Sequence, residues 1–232
     1  MGANIMLFAT FSLVFLAAQR ASGQCASLPS PLPGYNGLTA FDPLPNPFKF
    51  YNGTALSSPD DWTCRRAEIK TLLQEYMYGY YPDHASENVT ATRSGNTVSI
   101  TVAAKGKTGQ FSATLSLPSG ATKEKPVPVI IVIGFGDSTF VNNGIAQATF
   151  DAASVAADSN SKTGAFRNIY SEDVGSLLAW GWGSHRVLDA LQLVAPEIDT
   201  TRVGVTGCSR YGKGALAAGI FDDRVRYISS ML

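Results

Sequence analysis

The sequence predicts an α/β fold with a buried, parallel sheet, and three segments carry that expectation. Val129-Ile130-Ile131-Val132-Ile133 is apolar at every position, the pattern of a strand lying between two helix layers. A long helical pattern follows from Glu172 to Leu193, with Ser171 as its cap and acids at its start. Thr201 to Thr206 then reads as a short strand that turns at Gly207-Cys208-Ser209 into a helix of small residues, Arg210 to Ile220. Strand, helix, strand, turn, helix in that order implies right-handed parallel crossovers.

The remaining elements follow along the chain. Ile5 to Ala18 is an apolar run too short to span a bilayer, and the small residues Ala21 and Gly23 suit a cleavage site. Residues 1–23 are therefore expected to be a signal peptide, with Gln24 as the new N-terminus, although the segment before the apolar run has no Lys or Arg. A buried helix or a membrane anchor is the competing reading. Ser27 to Phe48 carries six prolines and reads as an extended surface arm. Ser58-Pro59-Asp60-Asp61 is a helix start, with Ser as N-cap, Pro at the first position and acids in the first turn. That helix is expected from about Trp62 to Tyr78, with Ile69, Leu72, Leu73 and Tyr76 on one face. Thr97 to Ala103 and Phe111 to Leu117 alternate apolar and polar residues around Lys105-Gly106-Lys107-Thr108-Gly109 and read as a hairpin. Gly134-Phe135-Gly136 ends the buried strand and opens a loop.

Composition narrows the function classes. The 232 residues are 45% hydrophobic and 16% charged with a net charge of zero, enough for one core. This leaves no electrostatic footprint for nucleic acid or an anionic membrane, and neither is expected as a partner. Residues 24–232 read as the N-terminal portion of a single domain, expected to be a monomer. Asn52-Gly53-Thr54 and Asn88-Val89-Thr90 are glycosylation sequons, in keeping with export. Three cysteines, Cys25, Cys64 and Cys208, leave an odd one. A Cys25–Cys64 bridge would pin the new N-terminus to the first helix. Cys208 is then the orphan, either a buried free thiol or one whose partner lies outside this sequence.

The turn at Ser209 carries the chemistry. A nucleophilic serine on a sharp strand-to-helix turn needs small residues beside it, and Gly207, two positions earlier, can fill that role. The strict G-x-S-x-G pattern fails, since Tyr211 stands at the second glycine, while Gly212 and Gly214 let the helix pack tightly on the sheet. A phosphate-binding turn is the rival. Gly207 to Lys213 has its spacing, but Gly214 stands where the metal-holding Ser or Thr belongs. By pattern alone, a nucleophile turn and a purely structural turn both remain open.

Gly207-Cys208-Ser209-Arg210-x-Gly212-Lys213-Gly214-Ala215 is similar to the signature of carbohydrate esterase family 15, the glucuronoyl esterases. Pro31-Leu32-Pro33, Asp42-Pro43 and Pro45-Asn46-Pro47-Phe48 resemble that family's N-terminal arm. Trp62-x-Cys64-Arg65-Arg66-x-Glu68-Ile69 resembles its first helix. Leu178-Ala179-Trp180-x-Trp182-Gly183, with Arg186 and Asp189-Ala190-Leu191, resembles the helix before the nucleophile strand. The likeness runs from about Cys25 to Arg224. It implies a three-layer α/β-hydrolase sandwich, incomplete at the C-terminus, and a secreted enzyme. The implied reaction is cleavage of the ester between lignin alcohols and the 4-O-methyl-glucuronic acid of glucuronoxylan, without metal or other cofactor. It also implies Ser209 as nucleophile, Arg210 as an oxyanion donor, Lys213 as a contact for sugar hydroxyls, a Cys25–Cys64 bridge, and a partner for Cys208 in a C-terminal half.

Chemically, the serine needs a base, and the oxyanion needs preorganised donors. The Arg210 guanidinium and N–H would supply donors, with amides of the Gly134-Phe135-Gly136 loop. In this fold the triad acid and histidine follow the serine; the family's acid lies in a Glu-Ser-Gly segment. Neither His nor Glu follows Ser209. The chain is therefore expected to be truncated and inactive alone. His185 reads as packed in a helix, His84 as solvated in a turn, and Asp222 and Asp223 as solvated loop acids. The alternatives are a non-catalytic carbohydrate-binding remnant, or another secreted serine esterase such as an acetylxylan esterase or a lipase.

Overall fold

The computed structural model describes Cys25, residues 28–39, 44–159, 161–170 and 173–231. The expected signal peptide and the Ser171 cap lie outside the described residues. The chain divides into two compact units, one ending at Glu68 and one beginning at Ile69. In order, the elements are α1 (Pro59–Leu73), β1 (Asn88–Ser94), β2 (Thr97–Ala104), β3 (Lys107–Ser116), β4 (Val127–Ile133), α2 (Thr139–Asn142), β5 (Ala146–Phe150), α3 (Ala152–Val155), α4 (Ala165–Ile169), α5 (Ser176–Val194), β6 (Ile198–Cys208), α6 (Arg210–Phe221) and β7 (Val225–Met231).

The first unit is organised by the start of α1. The Asp61 amide donates to Ser58 Oγ at 3.2 Å, and Asp61 Oδ2 accepts from the Ser58 amide at 3.0 Å. This reciprocal cap satisfies two backbone donors that a helix start leaves free. Cys64, one turn later, is disulfide-bonded to Cys25. Arg65 and Glu68 are buried as an ion pair, and both Glu68 oxygens also accept from the Tyr51 amide at 3.0 Å. The carboxylate is thus compensated twice, which burial of a charge requires.

The second unit holds a seven-stranded sheet of order β1-β2-β3-β5-β4-β6-β7. The hairpin side, β1 to β3, is antiparallel and joins β5 antiparallel; β5, β4, β6 and β7 run parallel. β4 lies in the middle, and Val129 to Ile133 are all buried. Val129, Ile131 and Ile133 face the main core, formed with α3 to α6. The opposite face, with Ile130, is met by Phe140 and Ile145 around an apolar groove of about 310 Å³ that Tyr227 also lines. Helix α5 runs through the main core with both Trp180 and Trp182 fully buried. It approaches α6 closely because Gly181 has no side chain: a Cβ there would lie 3.0 Å from the Ala218 amide nitrogen.

Several boundaries differ from expectation. Helix α5 starts at Ser176 rather than Glu172, capped by Gly175. The first helix ends at Leu73, and its continuation to Tyr78 is a π turn. Its expected apolar face, Ile69, Leu72, Leu73 and Tyr76, is half-buried. Three strands were not anticipated: β1, β5 and β7.

His185 is packed in α5, as expected, and buried. Its Nε2 bonds the Ala218 carbonyl at 2.8 Å. A carbonyl can only accept, so Nε2 carries the proton and Nδ1 accepts from the Tyr81 hydroxyl. Burial of the ring holds its pKa below the ordinary 6.5, against the raising influence of Asp222. The unfolded chain therefore takes up a proton as the pH falls through about 6.5, where the folded chain does not. Stability is then lost as the pH drops below about 6.5, by at most about 1.4 kcal/mol per pH unit, until the folded pKa is reached. Urea midpoints measured from pH 7.5 to 5.5 should fall in this way. His185→Gln, which keeps a donor for Ala218, should flatten the slope.

Candidate active site

Strand β6 leaves the sheet between β4 and β7, and Ser209 turns it into α6. Ser209 has φ 53° and ψ −114°, a conformation sparsely populated by residues with a side chain and costing about 1–3 kcal/mol. Its side chain is exposed and makes no hydrogen bond to the helix start. A serine opening a helix ordinarily caps it. Here the hydroxyl is presented instead to solvent beside the free N–H groups of the first helical turn, where anionic oxygen is favoured.

The surroundings explain which neighbours are small. A Cβ on Gly207 would lie 2.6–2.8 Å from Tyr211 backbone and Cβ atoms, so strand and helix can meet there only through a glycine. Tyr211 itself is tolerated because its ring lies against Gly134, where a Cβ would be 2.6 Å from the ring, and Gly134 has φ +91°. The ring also packs edge-on to Trp180 at 5.2 Å and to Phe135 at 6.3 Å. The second glycine of the usual turn has in effect moved to the end of β4. Gly214 packs against Trp180 and Ile133, as the tight helix–sheet contact required.

The expected site residues are not all equally placed to act. Lys213 is exposed, one turn beyond Ser209, and its amide donates to the Ser209 carbonyl at 3.3 Å. The Arg210 guanidinium is held by Asp158, with Nε 2.5 Å from Oδ2 and Nη2 2.8 Å from Oδ1, and lies over the Trp180 ring at 6.0 Å. The Gly134 amide is taken by the Phe150 carbonyl at 2.9 Å, which removes it from the expected oxyanion donors and leaves those of Phe135 and Gly136. Cys208 is a free, half-buried thiol in register with Met231 of β7.

Neither histidine approaches Ser209. His185 is bonded to Ala218, near the far end of α6, and His84 is exposed in a short 3-10 turn. Asp222 ends α6, about 18 Å along the axis from Arg210 at 1.5 Å per residue. It is half-buried and bound by Arg224 at 2.6 Å, so the expectation of a solvated acid is corrected. Arg224 links onward to Asp189, which also holds Arg186, and Arg186 pairs with Glu87. This ion chain lines a cavity of about 660 Å³ and ties β7's approach to α5 and to the start of β1. Asn52 is exposed in a turn, its Oδ1 accepting from the Thr54 amide at 3.0 Å, and Asn88 is exposed at the start of β1.

The family model described as glucuronyl esterase of fungi matches residues 100–229, more than half of the chain and past Arg224, where the sequence likeness was expected to end. The chain belongs to the glucuronyl esterase family. A 4-O-methyl-glucuronoyl methylesterase of Cerrena unicolor is 39% identical over 88% of this chain, and this chain spans 44% of that protein's length. A glucuronoyl esterase of carbohydrate esterase family 15 from Caldicellulosiruptor kristjansonii has a similar structure, with TM-score 0.76 and 42% identity. The match covers 82% of this chain and 55% of that one. A serine-to-alanine variant of the glucuronoyl esterase of Sporotrichum thermophile, in complex with methyl 4-O-methyl-β-D-glucopyranuronate, gives TM-score 0.72 and 39% identity over 80% of this chain and 51% of that one. The fold is accordingly that of the α/β-hydrolases. The chain spans about half the length of the curated relatives it matches.

Proposed function

We propose that this chain carries the nucleophile, oxyanion and sugar-contact groups of a serine esterase for glucuronoyl esters. The observation that carries the reading is Ser209, held at positive φ on a strand–helix turn with a hydroxyl that caps nothing. In the proposed reaction its oxygen attacks the ester carbonyl as a base takes its proton. The negative charge that develops is met by the Arg210 N–H and by an amide of the Phe135-Gly136 segment. Lys213, with no ion-pair partner among the described residues, faces hydroxyls of the sugar. The substrate is the ester joining 4-O-methyl-D-glucuronic acid of glucuronoxylan to lignin alcohols, and the chemistry calls for no cofactor. Export is supported by the Cys25–Cys64 bridge, and no described helix is long and apolar enough to cross a membrane. We further propose that Asn52 and Asn88 accept glycans, that residues 24–232 form the N-terminal portion of a single, monomeric domain, and that a cysteine outside this sequence pairs with Cys208.

The base is the open role. No described histidine lies near Ser209, an observation that also favours a second reading, in which this chain binds the uronate ester without turning it over. We expect the purified chain to release no methanol from methyl 4-O-methyl-D-glucuronate above the rate in buffer. Release that disappears in Ser209→Ala would place a base within these residues and overturn that expectation.

A further inference from the structure

An esterase acting on a uronic acid changes the charge of what it holds: the acyl group arrives as a neutral ester and leaves as a carboxylate. An unengaged arginine next to the nucleophile would grip that product through its two-pronged donor edge, the geometry guanidinium and carboxylate share. In this protein the side-on edge, Nε with one Nη, is already filled, and only the end-on pair of Nη groups is left. Arg210, directly after Ser209, gives Nε and Nη2 to the two Asp158 oxygens at 2.5 and 2.8 Å.

We propose that Asp158 occupies the Arg210 fork so that the site takes the neutral glucuronoyl ester and rejects the free glucuronate carboxylate. The inference rests on reading Ser209 as an esterase nucleophile. The pair is built into the fold. Asp158 has a short side chain, so the loop after α3 sets its position. That loop is anchored by Trp180 Nε1 on the Ala156 carbonyl at 2.8 Å and by the Ala157 amide on the Thr163 carbonyl at 3.0 Å. The same Trp180 ring lies under the guanidinium. Trp180 thus locates both the acid and the base of the pair. The Asp158 charge repels an incoming carboxylate as well as blocking the side-on seat, while a neutral ester meets neither obstacle. Asp158 acts through Arg210 and is a positioning residue. Arg210 and Asp158 side chains are 55% and 40% exposed, so their pairing adds little to stability and its removal leaves the fold in place.

The test is titration of the purified chain with sodium D-glucuronate and, separately, with methyl D-glucuronate, at low salt. The wild type should bind the ester more tightly than the acid. Asp158→Ala should bind glucuronate about tenfold more tightly than the wild type, roughly the worth of one charge-assisted hydrogen bond. Ester affinity should change little. The gain should shrink with added salt and vanish in the Asp158→Ala, Arg210→Ala double variant. Ester binding with glucuronate affinity unchanged or weakened in Asp158→Ala overturns the role of Asp158 alone. Absence of ester binding in the wild type overturns the esterase reading and this inference with it.

Discussion

Trp180→Ala is expected to destabilise the chain by about 3–5 kcal/mol, the range for truncating a fully buried large aromatic. Trp180 is wholly inaccessible. Its ring touches Tyr211 edge-on and fills the space beside Gly214. Removing it also strips the Ala156 carbonyl of the indole donor, and an unsatisfied buried acceptor costs about 1–3 kcal/mol. Since domains of this size are stable by only about 5–15 kcal/mol, the variant should be near unfolding at 37 °C. Trp180→Phe separates the two contributions: it keeps most of the packing and loses the hydrogen bond, and should fall well short of the alanine variant. Urea unfolding of the three proteins measures this. Equal midpoints for wild type and Trp180→Ala would contradict the central position given to this side chain.

Gly207→Ala should cost about 3 kcal/mol, the upper end of what overpacking does. The reason is space, since Gly207 is not at positive φ. The new methyl would fall 2.6 Å from the Tyr211 carbonyl carbon and 2.8 Å from its oxygen. These are backbone atoms of the first turn of α6 and cannot swing aside. Tyr211 cannot retreat either, because its ring is enclosed by Gly134, Phe135 and Trp180. Relief must come by moving α6 off β6, which displaces Ser209. Alanine at Gly95, which faces open space but has φ +57°, provides the contrast: it carries backbone strain alone and should cost less. A Gly207→Ala midpoint equal to the wild type's would show that the turn is looser than described.

The parts of the fold that could be read in advance are those with a strong local signal. β4 announced itself by five adjacent branched residues, and α1 by the Ser58-Pro59-Asp60-Asp61 cap. The strand–turn–helix at Ser209 was legible because strand, Gly-x-Ser and small-residue helix adjoin in sequence. β5 was not, since Ala146-Gln147-Ala148-Thr149-Phe150 is rich in alanine, a residue with little strand preference of its own. Its burial is imposed by its neighbours β3 and β4. β7 alternates weakly and pairs on one side only among the described residues, so tertiary context makes it a strand. The start of α5 was placed too early because Ser171 and the acids after it resemble a cap, whereas Gly175, with extended backbone, precedes the helix.

The site shows the same division. Ser209, Arg210 and Lys213, the proposed site residues, lie within five residues, so one short segment suggests all three. Asp158 is 52 positions from Arg210, on a loop with no periodic pattern, and nothing local ties the two. The structural role of Tyr211 depended equally on a distant glycine, Gly134. That pairing could have been suspected from the missing second glycine of the turn, since the volume of Tyr211 had to be accommodated somewhere.

The most direct test of the proposed uronate-ester site at Ser209 is nitrogen-15 NMR titration of the Ser209→Ala chain with methyl 4-O-methyl-β-D-glucopyranuronate. Saturable shifts centred on residues 207–214 and 135–136, lost when Lys213→Ala is added, are the predicted result. Shifts confined to other parts of the chain, or none at millimolar ester, would contradict it.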